Sequence, residues 1–151
     1  CQRDFKLPQL ILNAKVFGDF NLRQMLDSAT GSLMLHPKTD SANFGGLYFK
    51  PNLQIAGLAT KGQVIGSDHQ CAVYTGICSP HQLWVDKLHQ ARKKYPNDLL
   101  CMIRHGLLPA IAQDPTHASA VLHRGDWCEI STPQRIAEAA KWLQSTASHA
   151  N

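Results

Sequence analysis

The sequence lacks a long hydrophobic run and an extended basic stripe. No apolar run approaches the roughly 20 residues that a helix needs to cross a bilayer. The formal charge of +4 over 151 residues is mild, and its one dense cluster, Arg92 to Lys94, is typical of a solvated helix end. We therefore expect neither a membrane nor a nucleic acid as a partner.

The sequence also lacks closely spaced cysteine pairs. Its five cysteines are spread along the chain, without the two-residue spacing typical of zinc sites or redox motifs: Cys1, Cys71, Cys78, Cys101 and Cys128. The odd number favours free thiols in a reducing compartment. Because the sequence also shows no signal peptide or targeting segment, we expect a cytoplasmic protein. An N-terminal nucleophile at Cys1 is one interpretation of the first residue, and a truncated or processed start explains it as well.

Composition and length indicate an ordinary globular domain. With 44% hydrophobic and 17% charged residues, a chain of 151 residues makes one domain, or half of a larger one, with a core of its own. The segment "LPQLILNAKVF" has the continuous apolar run of a buried strand, and "SLMLHP" predicts a second. Apolar residues at helical spacing lie between them: Leu22, Met25, Leu26 and Ala29. Strand, helix and strand at this spacing predict a parallel pair.

The rest of the chain continues the mixed pattern. Short β-like pieces punctuated by Gly and Pro predict hairpins from residue 43 to 66, and "CAVYTGICSP" predicts another strand. A helix is expected to begin at Ser79 and Pro80, with an apolar face formed by Trp84, Leu88, Ala91 and Tyr95. The last helix begins near Thr132 and Pro133, and it carries an apolar stripe that we expect to be buried: Ile136, Ala139, Ala140 and Leu143. One α/β domain is therefore expected over residues 1–151.

Three blocks in this chain resemble one enzyme family. "LILNAKVFGDFNL" is similar to a strand ending in Asn-Gly-Asp with the helix after it, "VYTGICSPHQLW" to a Ser-Gly-Ile strand, and "LHRGDWCEISTPQRIAEAAKWL" to a closing Gly-x-Trp-x-Asp-x-Gly-Thr-Pro-Glu-Arg pattern. In this order they resemble the sugar-1-phosphate nucleotidyltransferases, in particular N-acetylmuramate-1-phosphate uridylyltransferases and mannose-1-phosphate guanylyltransferases. The resemblance covers the later part of that catalytic domain and implies a role in cell-envelope sugar metabolism.

The resemblance implies an incomplete fold. It predicts a Rossmann-like nucleotide-diphospho-sugar transferase fold, with a mixed, mostly parallel sheet that lacks its N-terminal nucleotide-binding strands. The family's glycine-rich phosphate loop is not found here, and Gly45-Gly46 is better explained as a turn. A sheet without its first strands exposes an edge, so we expect a dimer or a partner chain to complete it.

The resemblance also implies a reaction. These enzymes transfer a nucleoside monophosphate from a nucleoside triphosphate to a sugar 1-phosphate and release pyrophosphate, with two carboxylates holding Mg²⁺. Glu129 stands in place of the second metal-binding Asp, and Lys15 in place of the first. Both become candidate catalytic residues, with Glu129 as the metal ligand. A lysine repels Mg²⁺, so three interpretations are open: an ion pair in a retired site, a lysine that neutralises phosphate, or a mistaken local alignment.

Four further residues are candidates for binding the nucleotide and the sugar phosphate. Thr75 and Gly76 match a turn that approaches the sugar, or serve packing alone. Trp127 either covers the face of a sugar ring or belongs to the core. Asn13 either forms a hydrogen bond with a ligand or caps the end of a strand. The alternative function, favoured by Lys15, is a catalytically degenerate subunit that binds a nucleotide sugar or assembles with a partner.

Overall fold

The structure is a computed structural model, and it describes residues 9–26, 30–37, 46–60, 63 and 66–147. Its strands are β1 (Ile11–Leu12), β2 (Val16–Gly18), β3 (Gly31–His36), β4 (Gly46–Phe49), β5 (Ile55–Ala59), β6 (Gln70–Ser79), β7 (Ala118–Leu122) and β8 (Trp127–Glu129). Its helices are α1 (Arg23–Leu26), α2 (Gln82–Lys94), a π-helix (Met102–Leu107), α3 (Leu108–Gln113), a 3₁₀ helix (Pro115–His117) and α4 (Pro133–Ala147). Cys1, Ala29 and Gly45, which the sequence analysis singled out, lie outside the described residues.

The main sheet has the strand order β5-β4-β6-β3-β7. Strand β1 also pairs with β6, on the same side of β6 as β4 but farther along that strand. The predicted mixed α/β fold is confirmed. The expectation of a mostly parallel sheet is wrong for the described strands, because only β3 and β7 pair in parallel. The long strand β6 runs antiparallel to β1, β3 and β4. It lies between β1 and β3, so these two strands share a direction without being neighbours.

The central strand β3 is buried on both faces, as its apolar run predicts. Leu33 and Leu35 point into the larger core, which contains Trp84 of α2 and Leu107 of the π-helix. Met34 points to the opposite face, into a smaller core with residues of α1 and β6. Helices therefore cover both faces of the sheet at its centre, which is the arrangement that a buried strand requires.

Helix α2 begins later than predicted. Ser79 is the last residue of β6 and is buried, and the N-cap is His81, whose Nδ1 accepts a hydrogen bond from the N–H of Leu83 at 3.1 Å. The imidazole replaces the expected serine because the strand pairing of Ser79 with Ser32 continues to that position. The predicted core residue Trp84 is fully buried.

Helix α4 buries one residue of the predicted apolar stripe, Ala139, and leaves the other three exposed. Ile136 and Leu143 are 55% and 49% exposed, whereas Ala139 is buried and Trp142 is half-buried. Trp142 packs edge-on against Phe17 of β2, with ring centroids 5.1 Å apart. The helix rests on a short hairpin, and the indole offers that narrow surface a larger contact than the aliphatic stripe does. Over the described residues, no helix combines the length and the apolar character that spanning a membrane requires.

A stacked histidine pair at the start of α2 predicts a pH-dependent stability. The rings of His81 and His117 are parallel, with centroids 4.1 Å apart. Burial lowers the pKa of His81, and the charge of His117 lowers it further, while Asp114 and Asp86 act in the opposite direction. The unfolded chain therefore binds a proton at His81 more readily than the folded chain does. The free energy of unfolding should be constant above about pH 6.5, fall as the pH drops below that value, and level off below the folded pKa.

Urea unfolding between pH 7.5 and pH 5 measures this effect. The variant His117→Gln removes the neighbouring positive charge and should reduce the loss of stability on acidification. His89→Gln, which changes an exposed histidine of the same helix, should leave the loss unchanged. Equal pH profiles for all three proteins would show that the stacked pair does not control the titration of His81.

Candidate functional site

The predicted site residues Lys15 and Glu129 lie on a small second sheet formed by β2 and β8. The antiparallel register places Val16 opposite Glu129. The carbonyl of Lys15, one residue earlier, accepts a hydrogen bond from the N–H of Ile130 at 2.7 Å. Lys15 is therefore opposite Ile130, one position along from the Val16–Glu129 pair, and its side chain is exposed.

Asn13 builds the turn that leads into β2. Its Oδ1 accepts a hydrogen bond from the backbone N–H of Lys15 at 3.0 Å, and its carbonyl accepts one from the N–H of Val16 at 3.1 Å. A side-chain oxygen that accepts from the backbone two residues later is the usual way in which asparagine forms a turn. The structure thus gives Asn13 a structural contact, and its predicted contact with a ligand stays a prediction.

Glu129 forms its ion pair with Arg135. Oε2 of Glu129 lies 3.5 Å from Nη1 of Arg135, in the first turns of α4, and the two side chains are 37% and 31% exposed. The same guanidinium nitrogen lies 3.5 Å from the carbonyl oxygen of Glu129. In the part of the chain that the structure describes, Lys15 and Glu129 form no ion pair with each other. The positive charge near the carboxylate comes from Arg135, on the helix that follows.

The donor groups of this hairpin do not fit Mg²⁺. The ion prefers several oxygen ligands and retains part of its water shell, whereas Lys15 supplies an ammonium group and Glu129 shares its carboxylate with Arg135. Among the described residues, no three His, Cys, Asp or Glu side chains gather as a metal-binding group. Any Mg²⁺ ligation by Glu129 stays a prediction, and no reaction step is assigned to the metal.

Thr75 and Gly76 hold the hairpin against the main sheet. The hydroxyl of Thr75, which is buried, donates to the carbonyl of Met34 at 2.9 Å. Gly76 has φ +92°, and its carbonyl accepts a hydrogen bond from the N–H of Asn13 at 2.9 Å. A Cβ at this position would lie 2.8 Å from Cγ2 of Val16. Glycine is therefore required here by both conformation and close packing.

Trp127 is fixed at the junction between the two sheets. Its Nε1 donates to the carbonyl of Thr75 at 3.3 Å. Its ring stacks on His36, with centroids 5.6 Å apart and planes inclined by 26°. Because hydrogen bonding and stacking set its orientation, the indole presents a fixed surface to whatever lies beside it.

A cleft with a volume of about 320 Å³ brings two of the predicted residues together. Trp127 and Glu129 line it, along with Tyr74 of β6 and Arg104 of the π-helix. Lys15, by contrast, is not among the described residues that line this cleft. The cleft thus combines an aromatic surface, a carboxylate, a phenol and a guanidinium, which is a set of groups suited to a polar ligand that carries negative charge.

Arg104 was missed by the sequence analysis, although a signal was present. The segment "MIRHGLL" reads as a helix weakened by Gly106 and Pro109, and the structure forms a π-helix from Met102 to Leu107 at that place. A π-helical turn is frequent at functional sites, and a basic residue within an irregular helix was the available indication.

Burial keeps Tyr74 neutral. Desolvation raises the pKa of its phenol well above the usual range, and the neighbouring Cys78 thiol adds to the effect. The phenol therefore keeps its proton at ordinary pH, and its side-chain hydrogen bond is with Cys78, a buried residue of β6.

His117 and His123 lie at the two ends of β7 and make separate contacts. His117 ends the 3₁₀ helix and lies 3.2 Å from Asp114. His123 follows β7, is buried, and lies 3.3 Å from Oδ1 of Asp19. They stand at opposite ends of β7, so each belongs to a separate local contact.

Comparison with known proteins shows which solved structures have a similar fold. No family model and no curated protein matches the sequence. A solved structure described as a glucose-1-phosphate thymidylyltransferase from Bacillus anthracis, in complex with sucrose, has a TM-score of 0.61 and 13% identity over 86% of this chain and 52% of that chain. UTP-bound UGPase from Acinetobacter baumannii has a TM-score of 0.62 and 15% identity over 90% of this chain and 50% of that chain. HddC from Yersinia pseudotuberculosis, complexed with GMP-PN, has a TM-score of 0.56 and 15% identity over 89% and 54%.

At these identities the likeness concerns the fold. The chain has the mixed α/β fold of these three structures, and it spans about half of their length.

Proposed function

We propose that this chain forms the acceptor-side part of a sugar-1-phosphate nucleotidyltransferase, and that the cleft beside β6 and β8 binds a sugar phosphate. The observation that carries the proposal is the convergence of Arg104, Trp127 and Glu129 on one cleft of about 320 Å³. This volume lies at the lower end of the range for small-molecule sites, about 300–1,000 Å³.

Each of these side chains has chemistry suited to one part of a sugar phosphate. A guanidinium binds a phosphate through two parallel hydrogen bonds. An indole face packs against the apolar side of a sugar ring, and a carboxylate accepts hydrogen bonds from hydroxyl groups. In this proposal Arg104 binds the phosphate, Trp127 covers the ring, and Glu129 accepts hydrogen bonds from the sugar.

In this proposal, binding of the nucleotide substrate requires protein surface beyond the cleft. The similar structures include one with UTP and one with GMP-PN, which supports a nucleotide as the second substrate. The chain spans about half of those structures. We propose that a partner chain, a second copy or another segment completes the sheet along β1, whose Ile11 and Leu12 are 42% and 51% exposed. The free thiols of the described cysteines support a reducing compartment such as the cytoplasm.

A second function is favoured by the charge of the hairpin. Lys15 occupies the place where the resemblance expects a metal-binding Asp, and Glu129 is paired with Arg135. Both features favour a subunit that binds a sugar phosphate or nucleotide sugar without transferring a nucleotide.

The substitution Arg104→Gln tests the binding proposal. The loss of a charge-assisted, two-pronged hydrogen bond should weaken the binding of the preferred sugar 1-phosphate by about tenfold or more. Isothermal titration calorimetry with a panel of sugar 1-phosphates and nucleotide sugars measures the change. Lys93→Gln removes the same charge from the exposed end of α2 and should leave the affinity unchanged.

Pyrophosphate release separates the two functions. Turnover with a nucleoside triphosphate, a sugar 1-phosphate and Mg²⁺ would support the enzyme. Binding that depends on Arg104 but gives no pyrophosphate would support the binding subunit. The absence of binding across the whole panel would overturn both.

A further inference from the structure

A second cavity, of about 150 Å³, lies between the β2–β8 hairpin and helix α4. Three aromatic side chains line it: Phe17 of β2, Trp127 of β8 and Trp142 of α4. Phe17 and Trp142 meet edge to face, with an angle of 85° between their planes. The rings therefore form adjoining walls of the cavity.

Two carboxylates complete the lining. Asp126 precedes β8 and Glu138 lies on α4, and both residues are exposed. Nε1 of Trp142 donates a hydrogen bond to Oδ2 of Asp126, and Nε2 of Gln134 donates to Oε1 of Glu138 at 3.3 Å. Neither contact neutralises a charge. Of the described residues, the ones that line this cavity include no Lys, Arg or His.

We propose that this cavity binds a small organic cation of the alkylammonium class. The faces of aromatic rings attract a cation through their quadrupole, and tryptophan does so most strongly. Two nearby carboxylates add charge attraction and disfavour anions. A bare divalent metal ion is a poor occupant, because it requires more oxygen ligands than two carboxylates supply. A quaternary ammonium group has the apolar surface and the diffuse charge that fit this lining.

The size of the cavity agrees with such a ligand. A cavity of about 150 Å³ holds a molecule of the size of benzene, which is close to the size of a trimethylammonium group. Trp127 lines both this cavity and the larger cleft. The inference itself depends only on the cavity and does not require the proposed function.

Titration with choline, compared with its neutral isostere 3,3-dimethyl-1-butanol, tests the proposal. The two molecules have the same shape and differ in the charge of one atom. Shifts of the tryptophan indole N–H signals in NMR spectra report binding directly. Choline should bind at least about tenfold more tightly than the isostere, with sodium chloride of matched ionic strength as the baseline. Equal affinities would show a merely apolar cavity and overturn the proposal.

A pair of matched variants distinguishes this cavity from the general surface. Glu138→Gln removes a carboxylate that accepts a hydrogen bond from a glutamine four residues earlier, and it should weaken choline binding about fivefold. Asp86→Asn makes the same change on α2, where Asp86 accepts from Gln82 at 2.8 Å, and should have no effect. Phe17→Leu keeps an apolar wall but removes a ring, and it should also weaken binding. Unchanged affinity in both cavity variants, with folding verified by circular dichroism, would contradict the assignment.

Discussion

Replacing Trp84 with alanine is expected to lower the free energy of unfolding by about 3–5 kcal/mol. Trp84 is fully buried in the larger core. Its removal leaves a large cavity between α2 and β3, and the surrounding strands cannot collapse to fill it. The change also removes the hydrogen bond from Nε1 of Trp84 to the carbonyl of His117 at 3.1 Å. An unsatisfied carbonyl adds to the loss.

Chemical denaturation with urea, followed by circular dichroism, measures this change. Leu99→Ala is the control, because Leu99 is 98% exposed, and it should change stability by less than about 0.5 kcal/mol. Trp84→Phe should give an intermediate loss, since it keeps most of the apolar volume but removes the donor. A loss below about 1 kcal/mol in Trp84→Ala would mean that α2 does not pack on the sheet as described.

The elements of the central sheet were predictable because their signals are local. The apolar run of β3 and the helical spacing around Trp84 both report burial directly, and the structure buries both. The order of the strands in the sheet was harder to predict from the sequence. Strand β6 is inserted between β1 and β3 by backbone hydrogen bonds between residues far apart in sequence. Periodicity shows which faces are apolar, but it does not specify which strand pairs with which.

Helix α4 shows the same limit in a different form. Its aliphatic stripe predicted burial, yet Ile136 and Leu143 are exposed while Trp142 contacts the hairpin. The burial of a stripe depends on a complementary surface within reach. The hairpin is only three residues long on each strand, so it cannot cover the whole stripe.

The candidate site was only partly predictable. The family resemblance singled out Glu129 and Trp127 separately, and the structure places both in one cleft. The ion-pair partner Arg135 was not expected, because six residues separate it from Glu129 across the turn that begins α4. That pairing depends on the angle at which the helix leaves the strand, and sequence spacing does not give this angle.

The double variant Lys15→Asp with Glu129→Asp is expected to bind Mg²⁺ at least about tenfold more tightly than the natural sequence. The first change replaces a positive charge by a negative one at the position next to Val16, the cross-strand partner of Glu129. A change of two charge units close to a divalent ion is worth more than 1.4 kcal/mol even in water. The second change shortens the carboxylate that now reaches Arg135, so that it is more available to the metal. Titration with Mg²⁺, followed by calorimetry, measures the dissociation constants.

Two controls isolate the effect of position from the effect of charge. Lys93→Asp makes the same change in net charge at an exposed residue elsewhere, and should leave Mg²⁺ affinity unchanged. Lys15→Asn with Glu129→Asp removes the positive charge without adding a carboxylate, and should produce only part of the gain. If the double variant titrates like the natural sequence, the correspondence of Lys15 with a metal-binding Asp is mistaken. A gain in affinity without pyrophosphate release would mean that the hairpin retains the geometry of a metal site while the natural residues favour binding over transfer.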